Sequence, residues 1–439
     1  MNIEEKIKRK EKRKNRVKKI WIPLICILII VGIVLEVVYF GMSKNNIQNE
    51  EIKDENNQEN EIDYNQIIGT NVGENKIVYK EYVYEYGVNN LSGLCRRKRN
   101  EEEFQEVVKE SENGYEYKNI AIYKDKIYLV DGSHLKTFNL DGSNEQNIID
   151  NCSDLIYDFD KEKIYYTYYD DNNNGIGISK ISGETIKKTP SQEDDVSIEI
   201  LNADDTNVYY TSTPNTPGMS SYSDTSLITL YSFNKENYKT KKIKTEEVNE
   251  GSSSGFYQLE CSEDYLYYVV GCQQGTLNVF YGKACKIKKD GTGYEELSLG
   301  DTDFSRGIIP ELLIKNGYLY VDGNRINLST NKQTTDKFKN GDKIDDDDYV
   351  YTTSMSDDKA IILTKYKAGT EYEDMQKIFT KEIPDNENAD LDTINIEIDG
   401  NYIYLSIDYT DNDTENWRPL SIGGETYRMK KDGSDLKEL

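Results

Sequence analysis

Histidine is almost missing from this chain, with His134 alone among 439 residues. A Ser-His-Asp triad could be built only on that residue, and no metal site that needs two histidines can exist. His134 follows Asp131-Gly-Ser133 at the expected start of a strand, which reads as a hairpin position rather than a base. Cysteine is scarce too, at six, and no CxxC spacing occurs, which removes zinc-finger and thioredoxin-like chemistry. Cys26 falls in the one long apolar run, leaving Cys95, Cys152, Cys261, Cys272 and Cys285, an odd number unsuited to a full disulfide framework. One pairing is suggested: a connection from Gln273 to Ala284 would set Cys272 opposite Cys285.

Basic residues are the third shortage. Against 80 Asp and Glu stand 54 Lys and Arg, a net charge of -26. Ten Lys or Arg against three Glu occupy residues 1–19, so the rest of the chain carries -33. Such a body repels phosphate, which excludes nucleic acid as a ligand and favours cationic partners. No catalytic constellation and no cofactor motif is recognisable.

Long apolar runs are limited to one, Ile20 to Met42, interrupted only by Glu36. At about 1.5 Å of rise per residue, roughly 20 residues cross the hydrocarbon, so this segment suffices as a transmembrane helix. Trp21 at one end and Tyr39 with Phe40 at the other suit the headgroup belts. The basic tail of residues 1–19 is expected in the cytoplasm, against anionic lipid heads, with everything after residue 42 outside. A cleaved signal peptide, with Gly41-Met-Ser43 as its cleavage site, is the rival reading. Residues 43–65 hold three Ile and no aromatic before Tyr64, a composition that predicts a disordered acidic stalk.

What is abundant is tyrosine, 36 in all, and it recurs in a pattern. A short alternating strand runs into a tight polar turn and returns through an apolar-Tyr pair, as in Ile120 to Tyr128, Ile156 to Tyr166, Ile198 to Tyr210, Leu312 to Tyr320 and Ile396 to Tyr404. Weaker copies are read at Ile67 to Tyr79, Tyr257 to Tyr268 and Val350 to Leu363. Aligning Val78, Tyr128, Tyr165, Tyr209, Tyr267, Tyr320, Ile362 and Tyr404 gives spacings of 50, 37, 44, 58, 53, 42 and 42 residues. Strands and turns at that period predict an all-β fold, a β-propeller of four-stranded blades over residues 66–439. Eight blades are counted, with seven left open.

The last repeat shows the expected blade: Thr393 to Ile398, Asn401 to Asp408, Ile422 to Lys430 and Leu436 to Leu439, the first pair joined through Asp399-Gly400. Third strands end in Asp-Gly turns at Asp141-Gly142, Asp290-Gly291 and Asp432-Gly433, structural because few residues accept positive φ. The tyrosines of second strands are expected in packing between blades. The pairs Tyr165-Tyr166, Tyr209-Tyr210 and Tyr267-Tyr268, with Tyr427-Arg-Met-Lys-Lys-Asp-Gly-Ser434, resemble bacterial relatives of the YWTD-type propeller of low-density-lipoprotein-receptor-related proteins. The sequence departs from that pattern where Trp-Thr-Asp would follow Tyr. The resemblance implies a propeller and carries over no receptor function.

Connections after the second strands are long at Thr213 to Ser226, Gly271 to Thr276 and Thr410 to Gly423, and they should gather on one face. Ligand-binding candidates are Trp417 and Arg418, residue types common in binding hot spots, with Tyr222 and Tyr372 from long connections. Asp411, Asp413 and Glu415 alternate as a Ca²⁺ loop would, yet lack the central Gly and closing Glu of an EF-hand. The function expected is a monomeric, membrane-anchored extracellular binding module for a cationic, glycan or peptide ligand. The alternative is a glycan hydrolase or lyase with carboxylates or tyrosines at the propeller channel.

Overall fold

The computed structural model describes residues 66–439 except 74, 89–90, 100, 102, 112–113, 115, 171–172, 194–195, 215–224, 250–252, 275–278, 298–308, 310, 322–323, 336–337, 340, 357–358, 371–374, 384–388 and 412–420. Residues 1–65, with the expected tail, membrane segment and stalk, lie outside it. Among the described residues no helix is long and apolar enough to cross a membrane. The chain divides into two units, Met1–Asp63 and Tyr64–Leu439.

The second unit is an eight-bladed β-propeller. Blades 2 to 8 span residues 118–150, 152–190, 196–249, 253–296, 312–335, 343–382 and 389–438, each an antiparallel sheet of four consecutive strands. Blade 1 has five: β1 (Thr70–Gly73), β2 (Lys76–Tyr79), β3 (Tyr82–Tyr86), β4 (Leu94–Lys98) and β5 (Gln105–Val108). In chain order the strands of a blade run from the axis outwards, here called inner, second, third and outer. In blade 1 the inner strand is β2, with β1 added on its axial edge. The last blade matches its expected strands closely, as Ala389–Asp399, Tyr402–Asp411, Ser421–Lys430 and Lys437–Glu438.

Two repeats sit one strand away from their expected place. In blade 1 the hairpin is Lys76 to Tyr86, not Ile67 to Tyr79, because β1 mimics an inner strand; the repeat position is Tyr84, not Val78. In blade 7 the inner strand is only Lys343–Ile344, so Tyr349–Met355 is the second strand and Tyr351 replaces Ile362. With both registers set, a tyrosine stands in every blade: Tyr84, Tyr128, Tyr165, Tyr209, Tyr267, Tyr320, Tyr351 and Tyr404. All eight are buried, as expected of residues packed between blades.

The ring closes through packing, not strand exchange. Apolar clusters bridge successive blades, for example Tyr209, Ile228 and Leu230 of blade 4 with Phe256, Leu266 and Tyr268 of blade 5. Between blades 8 and 1, Val72, Val78 and Val83 meet Tyr404 and Leu439. The chain just before β1 reaches the other way, pairing Ile68 with Tyr123 of blade 2, while Thr70 Oγ1 donates to Asp399 Oδ2 of blade 8 at 3.1 Å. Residues 68–73 thus strap three blades together.

Candidate functional site

An antiparallel blade puts its inner-to-second and third-to-outer turns at one rim and its second-to-third connections at the other. The first rim is given over to contacts between blades. Tyr209 Oη donates to Asp204 Oδ2 at 2.7 Å, and Lys289 of blade 5 reaches the same oxygen at 2.7 Å. Blade 7 repeats this with Tyr351 Oη on Asp345 Oδ2 at 2.9 Å and Lys431 of blade 8 at 3.4 Å. In five blades the second strand reads Tyr-apolar-Tyr, and a third-strand cation covers the first ring: Arg96 over Tyr82 at 4.6 Å, Arg325 over Tyr318 at 3.7 Å and Arg428 over Tyr402 at 4.6 Å, with Lys286 over Tyr265 and Lys365 over Tyr349. Several of these cations then reach the next blade, as Arg96 Nη1 donates to Leu140 O at 2.8 Å and Lys365 Nζ to Lys431 O at 3.0 Å.

The opposite rim carries exposed apolar groups: Tyr169 and Met355 near second-strand ends, and Leu227 and Tyr281 near third-strand starts, Tyr281 being 51 % exposed. Trp417 and Arg418 fall in the segment joining the second and third strands of blade 8, and Tyr222 in that of blade 4, all outside the described residues. Tyr372, also outside them, falls in the segment joining the third and outer strands of blade 7. Asp411 ends the second strand of blade 8, opposite Ala389, while Asp413 and Glu415 are outside the described residues. Among the described residues no group of three or more His, Cys, Asp or Glu could hold a metal ion.

The suggested disulfide is corrected. The second and third strands of blade 5 pair Cys272 with Tyr281 and Cys285 with Tyr268, and both thiols are buried and not joined in a disulfide. The hairpin connection is shorter than expected, so four register positions separate the two cysteines, about 13 Å along a strand. A disulfide needs Cα atoms within about 7 Å. His134 begins the third strand of blade 2, as expected, with Nδ1 2.9 Å from Asp150 Oδ1.

Sequence reasoning missed a set of acids at the innermost strands. Asp154, Glu199 and Glu260 lie on the inner strands of blades 3, 4 and 5, and Glu311 and Asp342 immediately precede those of blades 6 and 7. Burial, then the charge of Glu311, pushes the Glu260 carboxyl up to about 7. Burial raises Asp342 to about 6, with Glu311 adding to the effect and Thr352 and Lys339 opposing it. Glu199 is raised by burial and then by Asp154; Asp154 is raised by burial against the pull of Lys118. Glu311 Oε2 accepts the Gly341 amide at 2.9 Å. Buried carboxylates set close along adjacent blades can take a cation or trade protons near neutral pH. Their only signal in the sequence is a charge inside an apolar alternation, as in Ile198-Glu-Ile200 and Leu259-Glu-Cys261.

No known protein family and no curated protein sequence matches this chain. Solved structures similar to it include a prolyl endopeptidase (12 % identity, TM-score 0.40, 80 % of this chain and 55 % of that one). The β-propeller domain of the Trilobed protease from Pyrococcus furiosus, described as having an open velcro topology, is similar at 10 % identity and TM-score 0.37, over 85 % of this chain and 98 % of that one. The WD40 domain of SCAP from fission yeast is similar at 9 % identity and TM-score 0.37, over 72 % and 81 %. The chain spans about half the length of the prolyl endopeptidase. All three TM-scores lie below 0.5, and the propeller assignment rests on the eight sheets themselves.

Proposed function

We propose that this protein is a binding module, displayed outside the cell by a membrane helix at residues 20–42 and a stalk at 43–65, and that its ligand is cationic. The observation that carries the reading is a set of exposed apolar side chains at the rim of the second-to-third connections, Tyr169, Leu227, Tyr281 and Met355. Apolar groups left exposed at one rim of a strongly acidic body suit a partner with basic and apolar groups. The blade type is proposed to be YWTD-like, on the tyrosine shared by all eight second strands.

Binding should follow the ionisation of the inner-strand acids. Glu260 is half protonated near pH 7, so its attraction for a cation is weak below that pH and grows as pH rises through it. A tetralysine peptide titrated calorimetrically should bind several-fold tighter at pH 8 than at pH 6, and Glu260→Gln should flatten that dependence. A flat profile for the unaltered protein would remove the inner-strand acids from the ligand site.

The carboxyl pair Glu260 and Glu311, the first raised to about 7 by burial and then by the charge of the second, also supports a glycan-active enzyme with Glu260 as general acid. Release of reducing ends from cell-wall glycan, abolished by Glu260→Gln, would select that reading over binding alone.

A further inference from the structure

The propeller's repeats can be compared at one third-strand position, where two of the eight blades carry a tyrosine ring. In the third strand, the position opposite the residue after the repeat tyrosine faces the preceding blade. In blade 4 this is Tyr231, opposite Tyr210; in blade 8 it is Tyr427, opposite Leu405. Each ring enters the junction with the preceding blade and bonds a carboxylate: Tyr231 Oη donates to Glu193 Oε1 at 2.7 Å, and Tyr427 Oη to Glu425 Oε2. Lys381 of blade 7 completes the second of these, 2.8 Å from the same Glu425 oxygen. In these two blades a hydroxylated six-membered ring bonded to an acid fills the junction.

Blade 2 has Lys136 at that position, opposite Leu129, and no ring. A cavity of about 510 Å³ lies there between blades 1 and 2, a size typical of small-molecule sites. Val108, Tyr117 and Phe138 form part of its wall. The polar part is built: Lys136 Nζ lies 2.7 Å from Asp131 Oδ2 and 2.8 Å from Glu145 Oε1, and Ser111 Oγ donates to Asp131 Oδ1 at 2.5 Å. Asp131 and Ser111 are buried.

We infer that this cavity binds one sugar ring of a glycan, seated where blades 4 and 8 place a tyrosine ring. The lysine is already neutralised by its own carboxylates, so a charged ligand gains little there. A neutral ring with several hydroxyls can donate to the free lone pairs of Asp131 and Glu145, while its C–H face lies against Phe138 and Tyr117. The site is separate from the exposed rim and does not rest on the cationic-ligand reading.

The test uses the full-length chain and saturation-transfer NMR with the methyl pyranosides of glucose, galactose, mannose, xylose and N-acetylglucosamine, with phenol and butylamine alongside. At least one pyranoside should bind in the millimolar range. Lys136→Tyr, which installs the ring of blades 4 and 8, should abolish that signal, and Glu145→Gln should weaken binding at least tenfold. Should Lys136→Tyr fail to fold, Glu145→Gln decides, because that side chain is exposed on one side. No pyranoside signal, a signal unchanged in Glu145→Gln or in a folded Lys136→Tyr, or binding of phenol or butylamine alone would overturn the assignment.

Discussion

Replacing Lys76 with Met should lower the stability of the propeller by about 3–5 kcal/mol at neutral pH, the usual effect of leaving a buried charge without its partner. Lys76 is 2 % exposed and sits where the ring closes. Its Nζ lies 2.8 Å from Asp408 Oδ1 and 2.9 Å from Ser406 Oγ, both of blade 8, and 3.5 Å from Glu85 Oε2 of its own blade. No strand is exchanged across this seam, so the lysine and the small apolar cluster of Val72, Val78, Val83, Tyr404 and Leu439 hold it, helped by the strap of residues 68–73. The pH dependence identifies the mechanism. Burial raises the Glu85 carboxyl, Lys76 lowers it and Asp408 raises it again, so removing the lysine raises it further. A carboxyl raised in the folded state binds protons more readily than in the unfolded chain, and stability falls as pH climbs through its folded value. Urea melts should therefore show a larger deficit for Lys76→Met at pH 7.5 than at pH 5. The exposed pair of Lys124 and Glu162 provides the control: Lys124→Met should leave the urea midpoint nearly unchanged at either pH, because solvent screens an exposed ion pair. Equal small losses for both variants would mean that apolar packing alone closes the ring.

The fold was legible because its repeating unit writes itself in tyrosine. Strand alternation and Asp-Gly turns place most hairpins, and the blade from Ala389 to Glu438 lies within a few residues of its expected strands. The errors have one physical origin. A strand that pairs on one side only looks like any other in sequence, so β1 passed for an inner strand. Conversely, the two-residue inner strand Lys343–Ile344 beside the acidic turn of Asp345 to Asp348 has too little pattern to be seen. Cations over tyrosine rings were missed for a different reason. Arg96, Arg325 and Arg428 meet their rings across two strands, a relation that appears only once the register is known.

The inner-strand acids show where sequence reading stops. Among 80 Asp and Glu, nothing distinguishes Glu260 until its strand is known to be innermost and Glu311 is known to be its neighbour. Burial, and then the nearness of Glu311, creates the raised pKa, and both are properties of the closed ring. The suggested Cys272–Cys285 disulfide failed for the same reason, since the register of the two strands sets how far apart they lie.

The Asp-Gly turns, read from sequence as simple chain reversals, prove to be contacts between blades, and alanine scanning should reveal a gradient among them. Gly142 has φ +80° and Gly291 φ +86°, a region that disfavours any residue with a Cβ by about 1–2 kcal/mol. That part of the effect is common to both. They differ in what the Cβ would meet on the preceding blade: at Gly291 the Ile243 carbonyl oxygen at 3.0 Å, at Gly142 the Val107 carbonyl driven well inside contact distance. The obstacle at Gly142 is backbone of β5, so relief requires moving a strand rather than turning a side chain, and overpacking of that kind costs about 1–3 kcal/mol more. Gly142→Ala should therefore destabilise the propeller by about 2–5 kcal/mol and Gly291→Ala by about 1–2 kcal/mol in urea denaturation, although the turns look alike in sequence. Equal losses would show that backbone conformation alone selects glycine. A larger loss at Gly142 would show that the close approach of blade 2 to blade 1 also demands it.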